Sequence, residues 1–289
     1  MAKIYDRQSQ QLIGSVEYQD KWLRRLYHSP WAQPFQALVT QAWFSKLLTW
    51  RDYTPWSKGK IADFVALYQV DLSTFEASAY PNFATFFTRK LKPNQRPMSP
   101  EGTVMAVADA KLSVYPITQA SMLSVKGQTY KLSDLLVNRA ISQLFIGGIA
   151  CIYRLGLEDY HRYVACETGE VLHQASIRGK LHTVRELALK QVPVYKENQR
   201  AYSLLGHRKI GPVLQMEVGA LTVGSIHNYS GQFLYRGVEK GYFSLGGSTI
   251  LVLYPANTVL LDEDIREQSR LGNECQVRLG ERVGIHHVL

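Results

Sequence analysis

The stretch "GYFSLGGSTILVLY" (residues 241–254) puts Gly246, Gly247 and Ser248 directly ahead of a run of β-branched and aliphatic residues. That run has the length and composition of a buried strand. Glycine weakens a strand interior, because it has no side chain to pack and more backbone entropy to lose. Its place at the mouth of so apolar a strand has two readings. One is a bulge or tight turn that happens to contain serine. The other is a peptide bond that must be reached and distorted.

Reading outward, residues beyond Glu101 alternate short β-type runs with glycines: "TVMAVA", "KLSVYPI", "SMLSV", "ACIYRL" and "PVLQMEVGALTVGSI" precede "TILVLY". One short helix is expected near Leu132–Val137. Upstream, Phe35, Leu38, Val39, Ala42, Trp43 and Leu47 recur at helical spacing between Pro34 and Leu48. A second helix is expected from Ser57, taken as its N-cap, through Ile61, Phe64, Val65 and Tyr68. Residues 1–20 are polar and expected to be loosely held. The proline-punctuated "FATFFTRKLKPNQRPMSP" (residues 83–100) marks a boundary. The fold class is therefore α+β, with a helical N-terminal region (1–82) followed by a mainly antiparallel β core (83–289).

At 46% apolar and 20% charged residues, the 289-residue chain has the composition of a folded protein, not a disordered one. Cys151, Cys166 and Cys275 lack metal-ligand spacing, so no metal is expected, and they fit a reducing compartment. No apolar run is long enough to span a bilayer, and no secretory signal opens the chain, which points to a cytosolic location. The net charge is +9, and residues 1–60 carry nine basic against four acidic side chains. All five tryptophans (Trp22, Trp31, Trp43, Trp50 and Trp56) fall there too. Tryptophan beside Lys and Arg suits an anionic membrane surface. The alternatives are plain core packing and, with no binding motif behind it, nucleic acid, which is not expected as a partner.

With Gly247 ahead of Ser248, no side chain shields the Gly247 carbonyl. The serine hydroxyl can attack its own preceding peptide bond to give an ester. Elimination from that ester cuts the chain and leaves a dehydroalanine, which loses ammonia to become a pyruvoyl group.

The flanking segments favour this second reading. "FATFFTRKLKPNQRP", "VADAKLSVYPI", "SVKGQTYKLSDLL", "LGLEDYHRY", "GKLHTV", "KENQR", "VGALTVGSI" and "GGSTILVLY" occur in an order that resembles the phosphatidylserine decarboxylase family. The match covers residues 83–254 and is less specific before them. The resemblance implies self-cleavage between Gly247 and Ser248. The cut would leave a pyruvoyl cofactor on Ser248 and two chains that stay associated as a heterodimer, with higher oligomers open. It implies phosphatidylserine as substrate, bound to the cofactor as a Schiff base, and phosphatidylethanolamine as product. It also implies a peripheral place on the cytoplasmic side of the cell membrane. Asp109 is the implied acidic residue, expected to orient the catalytic imidazole and stabilise its charged form.

One departure matters. The family commonly reads Y-H-R-x-H, and here Val164 stands where the second histidine would be. Valine moves no protons, so His161 is taken as principal acid/base, with His182 as its alternate and His173 on a nearby segment. Arg89, Lys90 and Lys92 are candidates for phosphate contact. Two other readings stay open: a homologue that no longer cuts itself and serves as a lipid-binding or structural protein, and a pyruvoyl enzyme for a soluble amino acid.

Overall fold

A computed structural model describes residues 3–14, 25–27, 30–77, 79–189, 191–221, 225–246 and 248–287. Ten strands make one sheet: β1 (Ile4–Asp6), β2 (Gln11–Ile13), β3 (Ala110–Pro116), β4 (Ile149–Leu155), β5 (Gly169–Ile177), β6 (Arg200–His207), β7 (Gly211–Val218), β8 (Phe233–Leu234), β9 (Ser248–Tyr254) and β10 (Glu274–Val277). They lie in the order β8-β5-β6-β7-β9-β4-β3-β10-β1-β2. Every neighbouring pair is antiparallel except β1 with β10.

The strand after the double glycine, β9, runs between β7 and β4, with Ser248 opposite Leu155 and Ile250 opposite both Glu217 and Tyr153. All seven of its residues are buried. Ile250, Val252 and Tyr254 pack on one face with Leu112, Tyr153 and Leu155. Leu251 and Leu253 pack on the other with Ile152, Leu214 and Met216. Burial on both faces explains why the sequence here is continuously apolar and does not alternate. The first face is covered by two three-stranded sheets, one built from Arg162–Val164, Ile226–Asn228 and Glu239–Phe243, the other from Thr103–Met105, Val259–Leu261 and Arg282–His286. Leu132–Leu136 forms the expected short helix, and with Arg139–Gln143 and Val194–Glu197 it supplies apolar side chains to the second face.

The N-terminal region departs from the sequence reading in three places. Residues 4–13 are not loosely held: β1 pairs with β10 and β2 with β1, so this segment is part of the main sheet, while residues 15–20 lie outside the described residues. The stripe from Pro34 to Leu48 belongs to two helices, α1 (Gln33–Val39) and α2 (Ala42–Thr49), separated at Thr40 and Gln41. Ser57 does not cap the next helix, α3 (Gly59–Tyr68), whose N-cap is Lys58. The Ser57 hydroxyl instead donates to the Asp52 and Thr54 carbonyls and accepts from the Phe83 amide at 2.9 Å. That bond ties this region to α4 (Phe83–Phe87).

Glu274 on β10 is buried between Arg154 of β4, whose Nε is 3.0 Å away, and Lys126. Burial alone would raise its pKa, but the two cations outweigh it and hold the carboxyl near 2, against an ordinary 4.5. A lowered carboxyl pKa adds stability above the unfolded value and withdraws it as pH falls through the folded one. The cluster therefore contributes fully above pH about 4.5 and is lost on acidification toward 2, a contribution of about 3 kcal/mol. Glu274→Gln, which leaves both cations buried without their anion, is expected to cost about 3–5 kcal/mol in urea unfolding at pH 7. It should also flatten the acid limb of the stability profile.

Candidate active site

Ser248 opens β9. Gly246, two residues before it, has φ of 106°, a conformation glycine adopts readily, so the permissive backbone is used at that position. Gly247 lies outside the described residues. Ser248 is fully buried, and its hydroxyl has no hydrogen-bond partner among the described residues. A buried hydroxyl without a partner is costly enough to call for a reason.

His161 stands just ahead of the strand Arg162–Val164, and its carbonyl accepts the Phe243 amide at 2.9 Å. The pairing of Arg162–Val164 with Glu239–Phe243 thereby carries the histidine to the segment that leads into Ser248. Its ring stacks on Phe87 of α4 at 4.2 Å between centroids, and Phe87 in turn packs on Leu245. Nε2 lies 2.8 Å from the Gly156 carbonyl. A carbonyl only accepts, so the ring proton is on Nε2 and the lone pair is on Nδ1. Nδ1 is buried and has no partner among the described residues. Gly156 directly follows Leu155, the residue opposite Ser248. Two unpartnered buried atoms, His161 Nδ1 and Ser248 Oγ, therefore belong to the same corner of the fold. Burial first, and then the charge of Arg89, push the His161 pKa down to about 3. The ring is neutral at physiological pH.

The turn between Leu155 and His161 is fixed from beneath. The Asp159 carboxylate accepts the Gly156 amide at 2.6 Å and the buried Lys111 ammonium at 2.7 Å, and Glu158 also pairs with Lys111. Burial raises the Asp159 pKa to about 6 despite Lys111, with Glu158 adding to the rise. Sequence reading passed over Phe87, Asp159 and Lys111. Asp159 sits inside the quoted "EDYHR", but only the fold brings Lys111 to it.

Asp109 does not hold the His161 ring. Its carboxylate is forked by Arg96 (Nε 2.9 Å, Nη2 2.6 Å) and accepts the Leu279 amide at 2.8 Å, while His161 Nε2 faces the Gly156 carbonyl and Nδ1 has no partner among the described residues. His182 is also elsewhere. Its Nδ1 is 3.3 Å from the Tyr27 hydroxyl and its Nε2 3.3 Å from Glu197, and Tyr27 belongs to the cluster on the far face of the sheet from Ile250. His173 is exposed on β5. Of the expected site residues, the fold brings Ser248 and His161 to one corner, places Asp109 on Arg96, and sets His182 and His173 apart.

Residues 83–285 match the family model described as phosphatidylserine decarboxylase. The chain is 36% identical over 283 residues to phosphatidylserine decarboxylase proenzyme 2 of Clostridium acetobutylicum, covering 97% of each chain. It is 33% identical to the phosphatidylserine decarboxylase proenzyme of Clostridium novyi (98% of this chain, 99% of the relative) and 35% identical to that of Desulfitobacterium hafniense (99% of each). The chain belongs to the phosphatidylserine decarboxylase family. Among the features of this decarboxylase, the departure at position 164 has a definite setting. Val164 is buried against Met105, Tyr160 and Leu279. With Arg96 and Arg162 it lines a cleft of about 210 Å³. Leu279, whose amide Asp109 holds, lines the same cleft, so the carboxylate and the missing imidazole share one neighbourhood.

Proposed function

We propose that this chain is a phosphatidylserine decarboxylase proenzyme that cuts itself between Gly247 and Ser248. The observation that carries the reading is the Ser248 hydroxyl, buried and without a partner at the head of a strand held on both sides by β7 and β4. In the first step Oγ bonds to the Gly247 carbonyl carbon, and the hydroxyl proton passes to a base. His161 Nδ1 fits that role, since its tautomer leaves the lone pair free. The Gly247–Ser248 peptide bond breaks to an ester. Elimination then takes a proton from the serine Cα, releases the Gly247 carboxylate and leaves a dehydroalanine, from which water displaces ammonia.

The pyruvoyl group that results supplies the electron sink a carboxylate needs in order to leave an amino acid as carbon dioxide. Around it, Phe87 and Leu245 provide an apolar wall. His161 is held by Gly156, and Gly156 by Asp159, so its imidazole has a fixed orientation. Asp109, neutralised by Arg96, acts in this reading on the backbone of Leu279 and on the cleft at Val164, not on the His161 ring. His182, engaged with Tyr27 and Glu197, takes no part.

The two products, 1–247 and 248–289, stay together as a heterodimer because β9 and β10 remain inside the sheet. Intact mass spectrometry of purified protein tests the reading. Two species divided ahead of Ser248, the smaller with a blocked terminus, are expected. A single full-length mass would favour a homologue that binds lipid without cutting itself.

The substrate lies in a bilayer, and the aromatic N-terminal region suits that surface. Trp31 is 92% exposed, Trp56 74%, Trp43 58% and Trp50 55%, with Phe35, Leu38, Leu47 and Leu48 exposed beside them. The plain core-packing reading of these tryptophans therefore does not hold. Trp22 lies outside the described residues. No helix among the described residues is long and apolar enough to cross a membrane. A face of this kind, with the basic excess of residues 1–60, fits peripheral binding to the anionic cytoplasmic leaflet. The double variant Trp31→Ser/Trp56→Ser is expected to bind anionic vesicles about tenfold more weakly or worse in a flotation assay, at unchanged melting temperature. Activity on a water-soluble serine phosphodiester but none on vesicles would instead favour a soluble substrate.

A further inference from the structure

Among the described residues five lysine and arginine side chains are buried, and four of them are answered. Lys111 has Asp159, Lys240 has Glu217, and Arg162 has Glu239. Arg200 donates to the carbonyls of Asp134, Leu135, Lys196 and Asn198. Arg89 is different. It is 3% exposed, yet among the described residues it has no carboxylate within ion-pair distance. Its guanidinium lies between the rings of Phe75 (4.6 Å) and Phe86 (4.7 Å), Nη1 makes one long bond of 3.3 Å to the Phe86 carbonyl, and Nε makes none. The carboxylates whose field reaches it, Asp109 and Asp159, are already held by Arg96 and Lys111. Aromatic faces offset only part of what it costs to keep a charge away from water without an anion.

The position of this cation is informative. Arg89 follows α4, whose Phe87 is stacked on His161, and its charge is felt at that imidazole. The same short helix is bonded to the exposed aromatic face, through Asn82 Nδ2 to the Tyr53 carbonyl (3.1 Å) and through Ser57 to the Phe83 amide (2.9 Å). The helix that leads into the unanswered cation thus touches both the exposed aromatic face and the reacting corner.

We propose that Arg89 is the anchor for the phosphodiester of the lipid substrate, a specificity-determining contact that rests on the decarboxylase reading and deepens it. A phosphodiester keeps its negative charge from start to finish, so a fixed cation holds it equally before and after reaction. The same cation placed on the substrate carboxylate would stabilise the group that must lose its charge as carbon dioxide, and would oppose the reaction. The planar, two-pronged guanidinium also matches phosphate oxygens, whereas the neighbouring Lys90 and Lys92 are surface point charges.

The test uses the full-length Ser248→Ala chain, which stays uncut whichever account of the activity holds. Its binding to soluble dihexanoyl phosphatidylserine and dihexanoyl phosphatidylethanolamine is measured by calorimetry. Adding Arg89→Met is expected to weaken both lipids alike, by about tenfold or more, because both carry the phosphodiester. Unchanged binding overturns the proposal, as does weakening confined to the serine lipid, which would put the carboxylate on Arg89. So does a parent chain that binds neither lipid. Should Arg89→Met lose its cooperative melting transition, Arg89→Lys decides. This variant keeps the charge without the fork, and a loss of about threefold or more on both lipids supports the proposal, whereas no change sinks it. A wild-type chain that neither cuts itself nor decarboxylates would defeat the activity reading and leave these binding results as they stand.

Discussion

Ser248→Ala is expected to remain a single chain of 32.8 kDa and to release no carbon dioxide from phosphatidylserine. Alanine removes the one oxygen that can attack the Gly247 carbonyl, so neither the ester nor anything after it can form. The fold should tolerate the change. Ser248 is buried and its hydroxyl has no partner among the described residues, so losing it removes a desolvated polar atom and breaks no hydrogen bond. Its melting temperature is expected at or slightly above that of uncut wild-type protein. A variant that still divides ahead of residue 248 would remove the serine from the chemistry. One that fails to fold would show that the hydroxyl is structural.

His161→Ala carries the second large effect. Self-cleavage, followed on denaturing gels over time, should slow by about 10²–10⁴-fold, the usual worth of a positioned acid/base group. The ring also packs on Phe87, so part of any loss could be mechanical. His161→Asn separates the two contributions, because it keeps a polar side chain while removing the base. If His161→Asn cuts at the wild-type rate, the imidazole is not the base and the cleft at Val164 becomes the place to look. Because burial and Arg89 hold the imidazole near pKa 3, its protonation should leave no inflection in the cleavage rate between pH 5 and 8. A break near 6.5 would mean that the ring is more solvated than the fold implies.

Much of this architecture could be read from local residues. A strand buried on both faces has to be apolar at every position, so "TILVLY" was legible as a buried strand, though its place between β7 and β4 was not. The helix at Leu132–Leu136 was equally local. The N-terminal stripe was legible as helical but not as exposed, because spacing reports that a face is apolar and not what covers it. Nor could Ile4–Asp6 be assigned to the sheet: its partner β10 lies some 270 residues along the chain, and no short-range signal encodes so remote a pairing.

The site divides in the same way. The sequence alone determined which side chains have the chemistry, since a hydroxyl behind two glycines and an imidazole in "DYHRY" are properties of residue type and order. Only the tertiary structure decided which of them meet. It put Gly156, opposite the head of β9, under His161, gave Asp109 to Arg96, sent His182 to the far face of the sheet, and left Arg89 buried without an anion. The reason is physical: reactivity is set by bonds within one residue, whereas proton transfer and charge pairing fall off within a few ångströms and depend on the packing of residues far apart in the chain.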